Sequence, residues 1–110
     1  MEKKKILWLS RHEFTKEQFE ALVKIYGEVD ITQLNKTIST AEELKPQIEE
    51  FDVLAVVLPV ELVADLMKIT EKPIIFAVND RILDETGEKV IFKFKCWKQY
   101  KKVEIEVEEL

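Results

Sequence analysis

Short apolar runs alternate along the chain with stretches whose apolar residues recur at helical spacing. Residues 4–9 hold the run Ile6-Leu7-Trp8-Leu9 and predict a first strand, apolar on both faces as a buried parallel strand is. Residues 15–26 predict a helix, with Phe19, Leu22, Val23 and Tyr26 on one face. Thr15 and Gln18 have capping-box spacing, and Gly27 supplies a C-terminal stop. Residues 29–34 alternate apolar and polar, which predicts a second strand near a sheet edge, and Asn35-Lys36-Thr37 follows as a loop. A second helix is expected from about Thr40 to Glu50, again with capping-box spacing between Thr40 and Glu43. Pro46 conflicts with an unbroken helix, because an interior proline costs about 3 kcal/mol. The helix must start near Pro46 or kink there. Residues 51–58 are the most apolar and predict the central strand. Pro59 ends that strand and suits the first turn of a helix through Leu62, Val63, Leu66, Met67 and Ile69. Residues 73–78 predict a fourth strand, with Asn79-Asp80-Arg81 as the loop after it.

The pattern then changes. Residues 85–88 read as a turn, and residues 90–97 and 101–108 alternate around Lys98-Gln99-Tyr100. They predict an antiparallel hairpin with Lys95 near Glu104 and Lys93 near Glu106. Helices between successive strands make the first four strands parallel, and right-handed crossovers give the order 2-1-3-4. The expected fold class is therefore α/β, one domain over residues 1–110, with a C-terminal antiparallel hairpin.

Composition narrows the function classes. A chain of 110 residues with 46% hydrophobic residues can build one core. A net charge of −5 argues against a general nucleic-acid surface, double-stranded nucleic acid included. A small anion is still allowed, because a local basic focus can exist on an acidic protein. Cys96 is the only cysteine and His12 the only histidine, so neither an internal disulfide nor a zinc site of several such ligands is expected. No cofactor is implied, and the cysteine usage reads as an intracellular, cytoplasmic protein. The apolar run at Ile6–Leu9 is too short for a signal peptide or a membrane span. Two glycines, Gly27 and Gly87, leave no glycine-rich phosphate loop.

Ligands of open α/β sheets bind outside the carboxyl ends of the strands. Four loops are expected at that edge: Ser10-Arg11-His12, Asn35-Lys36-Thr37, Pro59-Val60-Glu61 and Asn79-Asp80-Arg81. Helix starts at Thr15, Thr40 and Val60 add partial positive charge there. Arg11, Lys36 and Arg81 then form a candidate anion site, with Asn35, Thr37, Glu61 and Asn79 as further candidate ligand contacts. Plainer roles are open to each: Asn79 and Asp80 are common turn formers, and Trp8 and Trp97 suit a core. Cys96 suits a buried small hydrophobe.

The stretch Leu9-Ser10-Arg11-His12-Glu13-Phe14-Thr15-Lys16-Glu17-Gln18 resembles the opening of small stand-alone CRISPR-associated proteins with one CARF-like domain. Those chains have a serine or asparagine near a histidine after the first strand and a Thr-x-Glu-Gln helix start. They end in strands rich in Phe and basic residues, as Phe92-Lys93-Phe94-Lys95 does here. The resemblance implies a Rossmann-like three-layer fold and a homodimer that binds a cyclic oligoadenylate messenger of antiviral signalling. It also implies metal-independent ring-nuclease chemistry as a candidate activity, by attack of each ribose 2′-hydroxyl on its phosphate. Ser10 and His12 would be the candidate catalytic residues, with Arg11 between them a departure from that pattern. The competing expectation is a non-enzymatic dimeric α/β interaction module with no nucleotide ligand.

Overall fold

The computed structural model describes residues 3–103 and 108. Its strands are β1 (Lys4–Leu9), β2 (Val29–Leu34), β3 (Val53–Val56), β4 (Ile74–Leu83) and β5 (Val90–Gln99). They form one sheet in the order β2-β1-β3-β4-β5. β1 runs parallel to β2 and to β3, with Ile6 opposite Val53 and Leu9 opposite Val56. β4 continues the parallel set beside β3, and β5 is antiparallel to β4. The order 2-1-3-4 thus holds for the first four strands.

β1 lies between β2 and β3, which is why Ile6, Leu7, Trp8 and Leu9 are all buried on both faces. Burial of each such side chain contributes at most about 1.5–3 kcal/mol. Successive side chains point to opposite faces. Leu7, Leu9, Leu54, Val56 and Ile74 meet Ile38, Leu44, Ile48, Val63 and Leu66 on one side. Ile6, Trp8, Val53, Ala55 and Ile75 meet Leu22 on the other. Helix α1 (Lys16–Tyr26) therefore covers one face, while α2 (Lys45–Ile48) and α3 (Val60–Ile69) cover the other.

Helix α1 starts as its sequence dictates. Thr15 Oγ1 accepts from the Gln18 amide at 3.2 Å, and Gln18 Oε1 accepts from the Thr15 amide at 2.9 Å. It stops at Gly27, whose φ of 81° and ψ of −136° only glycine adopts without strain. The helix expected over 40–50 is instead a 3₁₀ turn (Ala41–Leu44) running into α2. Pro46 explains this, since it sits in the first turn of α2, where an amide has no helical partner to lose. Lys72 Nζ then donates to the carbonyls of Ile48 and Phe51, which fixes the exit from α2 toward β3.

The end of β4 differs from expectation. Asn79, Asp80 and Arg81 are not a loop; they extend β4 opposite Phe94, Lys93 and Phe92. Cross-strand pairing overrides their turn propensity: Ile82 and Leu83 continue the strand opposite Ile91 and Val90, and Asp80 stands opposite Lys93. Val78 faces Cys96 while Asn79 faces Phe94, so Lys95 is the extra residue of a bulge. The hairpin turn lies at 84–89, where Asp84 Oδ1 accepts from the Thr86 hydroxyl at 2.7 Å and Gly87 takes φ +75°. β5 thus pairs with β4, and Lys98 and Gln99, expected in a turn, are instead drawn into the strand by pairing with Phe76 and Ile75. The expected partner strand at 101–108, with its Lys95–Glu104 and Lys93–Glu106 pairs, lies largely outside the described residues.

Candidate functional site

The loop after β1 is fastened from below. Trp8 Nε1 donates to the His12 carbonyl at 3.0 Å, and Gln33 Nε2 donates to the carbonyls of Ser10 and His12, both at 2.9 Å. Trp8 and Gln33 are register partners on β1 and β2, so both reach the loop from the same side of the sheet. Ser10 Oγ accepts from the His12 amide at 3.0 Å, closing a local turn. Gln33 was not among the residues the sequence pattern singled out. Its signal is visible only once the register places it beside Trp8.

Behind Trp8 lies an aromatic group. The Trp8 ring meets Phe14 and Trp97 edge-on at centroid distances of 5.3 and 5.9 Å. Trp97 Nε1 donates to the Gln18 carbonyl at 3.1 Å, which ties β5 to α1. Both tryptophans therefore have structural partners for their rings and their N–H groups.

On the opposite side of the loop, a cleft of about 340 Å³ opens at the carboxyl ends of β1 and β3. Its polar wall is Ser10, Arg11, His12, Lys36 and Thr37. Its apolar floor includes Leu9, Ile38, Leu58 and Leu62, and Pro59 lies at its rim. The loops after β1 and β2 are joined by a hydrogen bond from Arg11 Nη2 to Thr37 Oγ1. Ser10 is nearly buried, while Arg11, His12 and Lys36 are exposed. Two cations on one cleft wall make a local positive focus on a chain of net charge −5.

Of the three helix starts expected to reinforce this charge, two are already occupied. Thr15 caps α1, and the Glu43 carboxylate accepts from the amides of Ser39 and Thr40 at 2.7 and 2.9 Å. Those two bonds, Thr40 first, hold Glu43 below the ordinary glutamate value, and nearby Lys36 adds a smaller effect. The start of α3 has no side-chain cap, and Pro59 beside it lines the cleft. The Leu62 and Val63 amides both donate to the Pro59 carbonyl, at 3.0 and 3.1 Å, which leaves those of Val60 and Glu61 as the first-turn amides with no helical acceptor. Glu61 stands in that first turn, exposed, and takes up part of the favourable dipole field itself.

The structure therefore brings together Ser10, Arg11, His12, Lys36 and Thr37. Asn35 and Glu61 flank the cleft in sequence but do not line it. Asn79 and Arg81 stand in β4, beyond its parallel portion, and belong to the ribbon with β5. Arg81 is thus not the third cation of this site.

Chemically, the wall can hold an anion through Arg11, Lys36 and hydroxyl donors. The His12 ring makes no hydrogen bond to Ser10 Oγ, so no activated serine nucleophile is assembled. Among the described residues, no group of three or more His, Cys, Asp or Glu side chains converges as a metal site. No helix among them is long and apolar enough to cross a membrane. The chain matched no family model, no curated protein and no solved structure.

Proposed function

We propose that this cleft binds the phosphate of a nucleotide, and that the ligand is a cyclic oligoadenylate. The observation that carries the reading is the convergence of Arg11 and Lys36 with Ser10, His12 and Thr37 at the carboxyl ends of adjacent parallel strands β1 and β3. That is the place where open α/β sheets bind ligands. The choice of a cyclic oligoadenylate comes from the resemblance of residues 9–18. A cleft of about 340 Å³ suits roughly one nucleotide unit.

Cleavage in this reading needs little machinery. The ribose 2′-oxygen forms a bond to phosphorus, and the bond from phosphorus to the 5′-oxygen breaks. The 2′ proton leaves to a base, and the 5′-oxygen takes up a proton, giving a 2′,3′-cyclic phosphate and a 5′-hydroxyl. The protein's tasks are to align these atoms and to stabilise charge on phosphate oxygens. Arg11 and Lys36 serve the second task. His12 is the side chain of the wall suited to proton transfer.

Titration calorimetry with a panel of cyclic oligoadenylates, paired with chromatography of the products, tests both parts. Arg11→Ala should weaken binding by roughly 1–3 kcal/mol, the scale of a charge-assisted hydrogen bond, while its melting temperature stays near wild type. His12→Ala should keep binding and slow cleavage by about 10²–10⁴-fold. Binding without products in the wild type would leave a sensor. No heat with any ring would remove the nucleotide reading. The second reading, an interaction module, is favoured by one observation: Leu83 and Phe92 on the β4–β5 ribbon are 63% and 71% exposed.

A further inference from the structure

Beyond its contacts with β3, β4 continues with β5 as a two-stranded ribbon. An isolated two-stranded ribbon is at best marginally stable in water. This one nevertheless carries five large apolar side chains into solvent: Ile82, Leu83, Val90, Ile91 and Phe92. Residues directly opposite each other share a face. Leu83 with Val90 and Arg81 with Phe92 therefore lie on one face, the face of Trp97 and α1. Ile82 with Ile91 and Asp80 with Lys93 lie on the other.

We infer that the face bearing Leu83, Val90 and Phe92 is the contact between two copies of this chain, packed ribbon on ribbon about a two-fold axis. The charges choose the occupant. From Asn79 to Phe94 the ribbon carries Arg81, Lys89 and Lys93 against Asp80, Asp84, Glu85 and Glu88, close to balance. Such a surface attracts neither a polyanion nor a polycation, but it complements itself. An axis near Leu83 sets Arg81 of each copy against the partner's turn, which carries Glu85 and Glu88. That pairing is isologous, as closed dimers require. The area is also sufficient. The exposed apolar side chains of one ribbon present on the order of 300 Å², and two ribbons with their polar rims reach the ~1,000 Å² of a specific interface. This assembly does not depend on what the cleft binds.

Sedimentation velocity on the whole chain tests it, with each copy contributing 13.0 kDa. At tens of micromolar the wild type should sediment as a dimer, and Leu83→Asp with Phe92→Asp as a monomer. Because that double variant alters the ribbon itself, a milder one accompanies it. Arg81→Glu should raise the dimer dissociation constant at least tenfold, and adding Glu85→Lys and Glu88→Lys should restore most of it. Rescue would identify the charged pairing across the axis. A wild type that is monomeric throughout would overturn the inference, as would a dimer indifferent to both sets of variants. A monomer that floats with phosphatidylcholine vesicles would reassign the patch to a lipid surface and overturn it equally.

Discussion

The side chains that matter most at the candidate site are not only those that face the ligand. Arg11 and Lys36 supply charge, but Gln33 and Trp8 decide where the loop carrying Arg11 sits. Gln33 holds two carbonyls with one amide group, and Trp8 shares the second of them. Gln33→Ala should therefore cost about 1–2 kcal/mol, one net hydrogen bond for each carbonyl. Trp8 would still hold the His12 carbonyl, so the loop should loosen rather than unfold. Hydrogen exchange at the His12 amide should quicken while exchange in β3 stays slow. An unchanged exchange rate at His12 would show that Gln33 does not restrain the loop. Ser10, Arg11, His12, Lys36 and Thr37 were legible from sequence because each lies just after a predicted strand. Gln33 was not, since its role depends on a register with Trp8 that local pattern does not encode.

Among the elements, β1, α1, β2 and α3 follow their sequence closely, while β3 keeps only Val53–Val56 of the strand expected over 51–58. Two further departures have identifiable causes. Pro46 converts an expected helix into a 3₁₀ turn and a short α2. Asn79-Asp80-Arg81 joins β4 because β5 pairs with it across a turn, a non-local contact that outweighs turn propensity. The consequence for function is direct, since one expected cation leaves the cleft and an apolar ribbon appears elsewhere. The entry to the 3₁₀ turn also gives a pH test. Hydrogen bonds from the Thr40 and Ser39 amides lower the folded-state pKa of Glu43 below its ordinary value. Stability from a lowered carboxylate pKa is present above the unfolded value and lost as pH falls through the folded one. Wild type should thus melt above Glu43→Gln at pH 7, and the gap should narrow from about pH 4.5 downward. Asp84, lowered mainly by the Thr86 hydroxyl, titrates in the same direction in both proteins and cancels in the difference. A gap of equal size at pH 3 and pH 7 would remove the charged cap from the explanation.

For the molecule as a whole, a three-layer arrangement places two distinct surfaces on the carboxyl side of one sheet, one at β1 and β3 and the other on the β4–β5 ribbon. The cleft sits where β1 and β3 end, polar on one wall and apolar at its floor. The ribbon extends beyond β3, apolar and nearly neutral. We propose a division of labour, with anion binding at the first and self-association at the second. The central claim is the first, and backbone amide chemical shifts recorded during titration with cyclic oligoadenylates examine it residue by residue. Saturable shifts should gather at Ser10–His12, at Lys36–Thr37 and at the first turn of α3, and should disappear in Arg11→Ala at the same concentrations. Amides that stay still with every ring size, or that move only along β4 and β5, would mean that the cleft is not a nucleotide site.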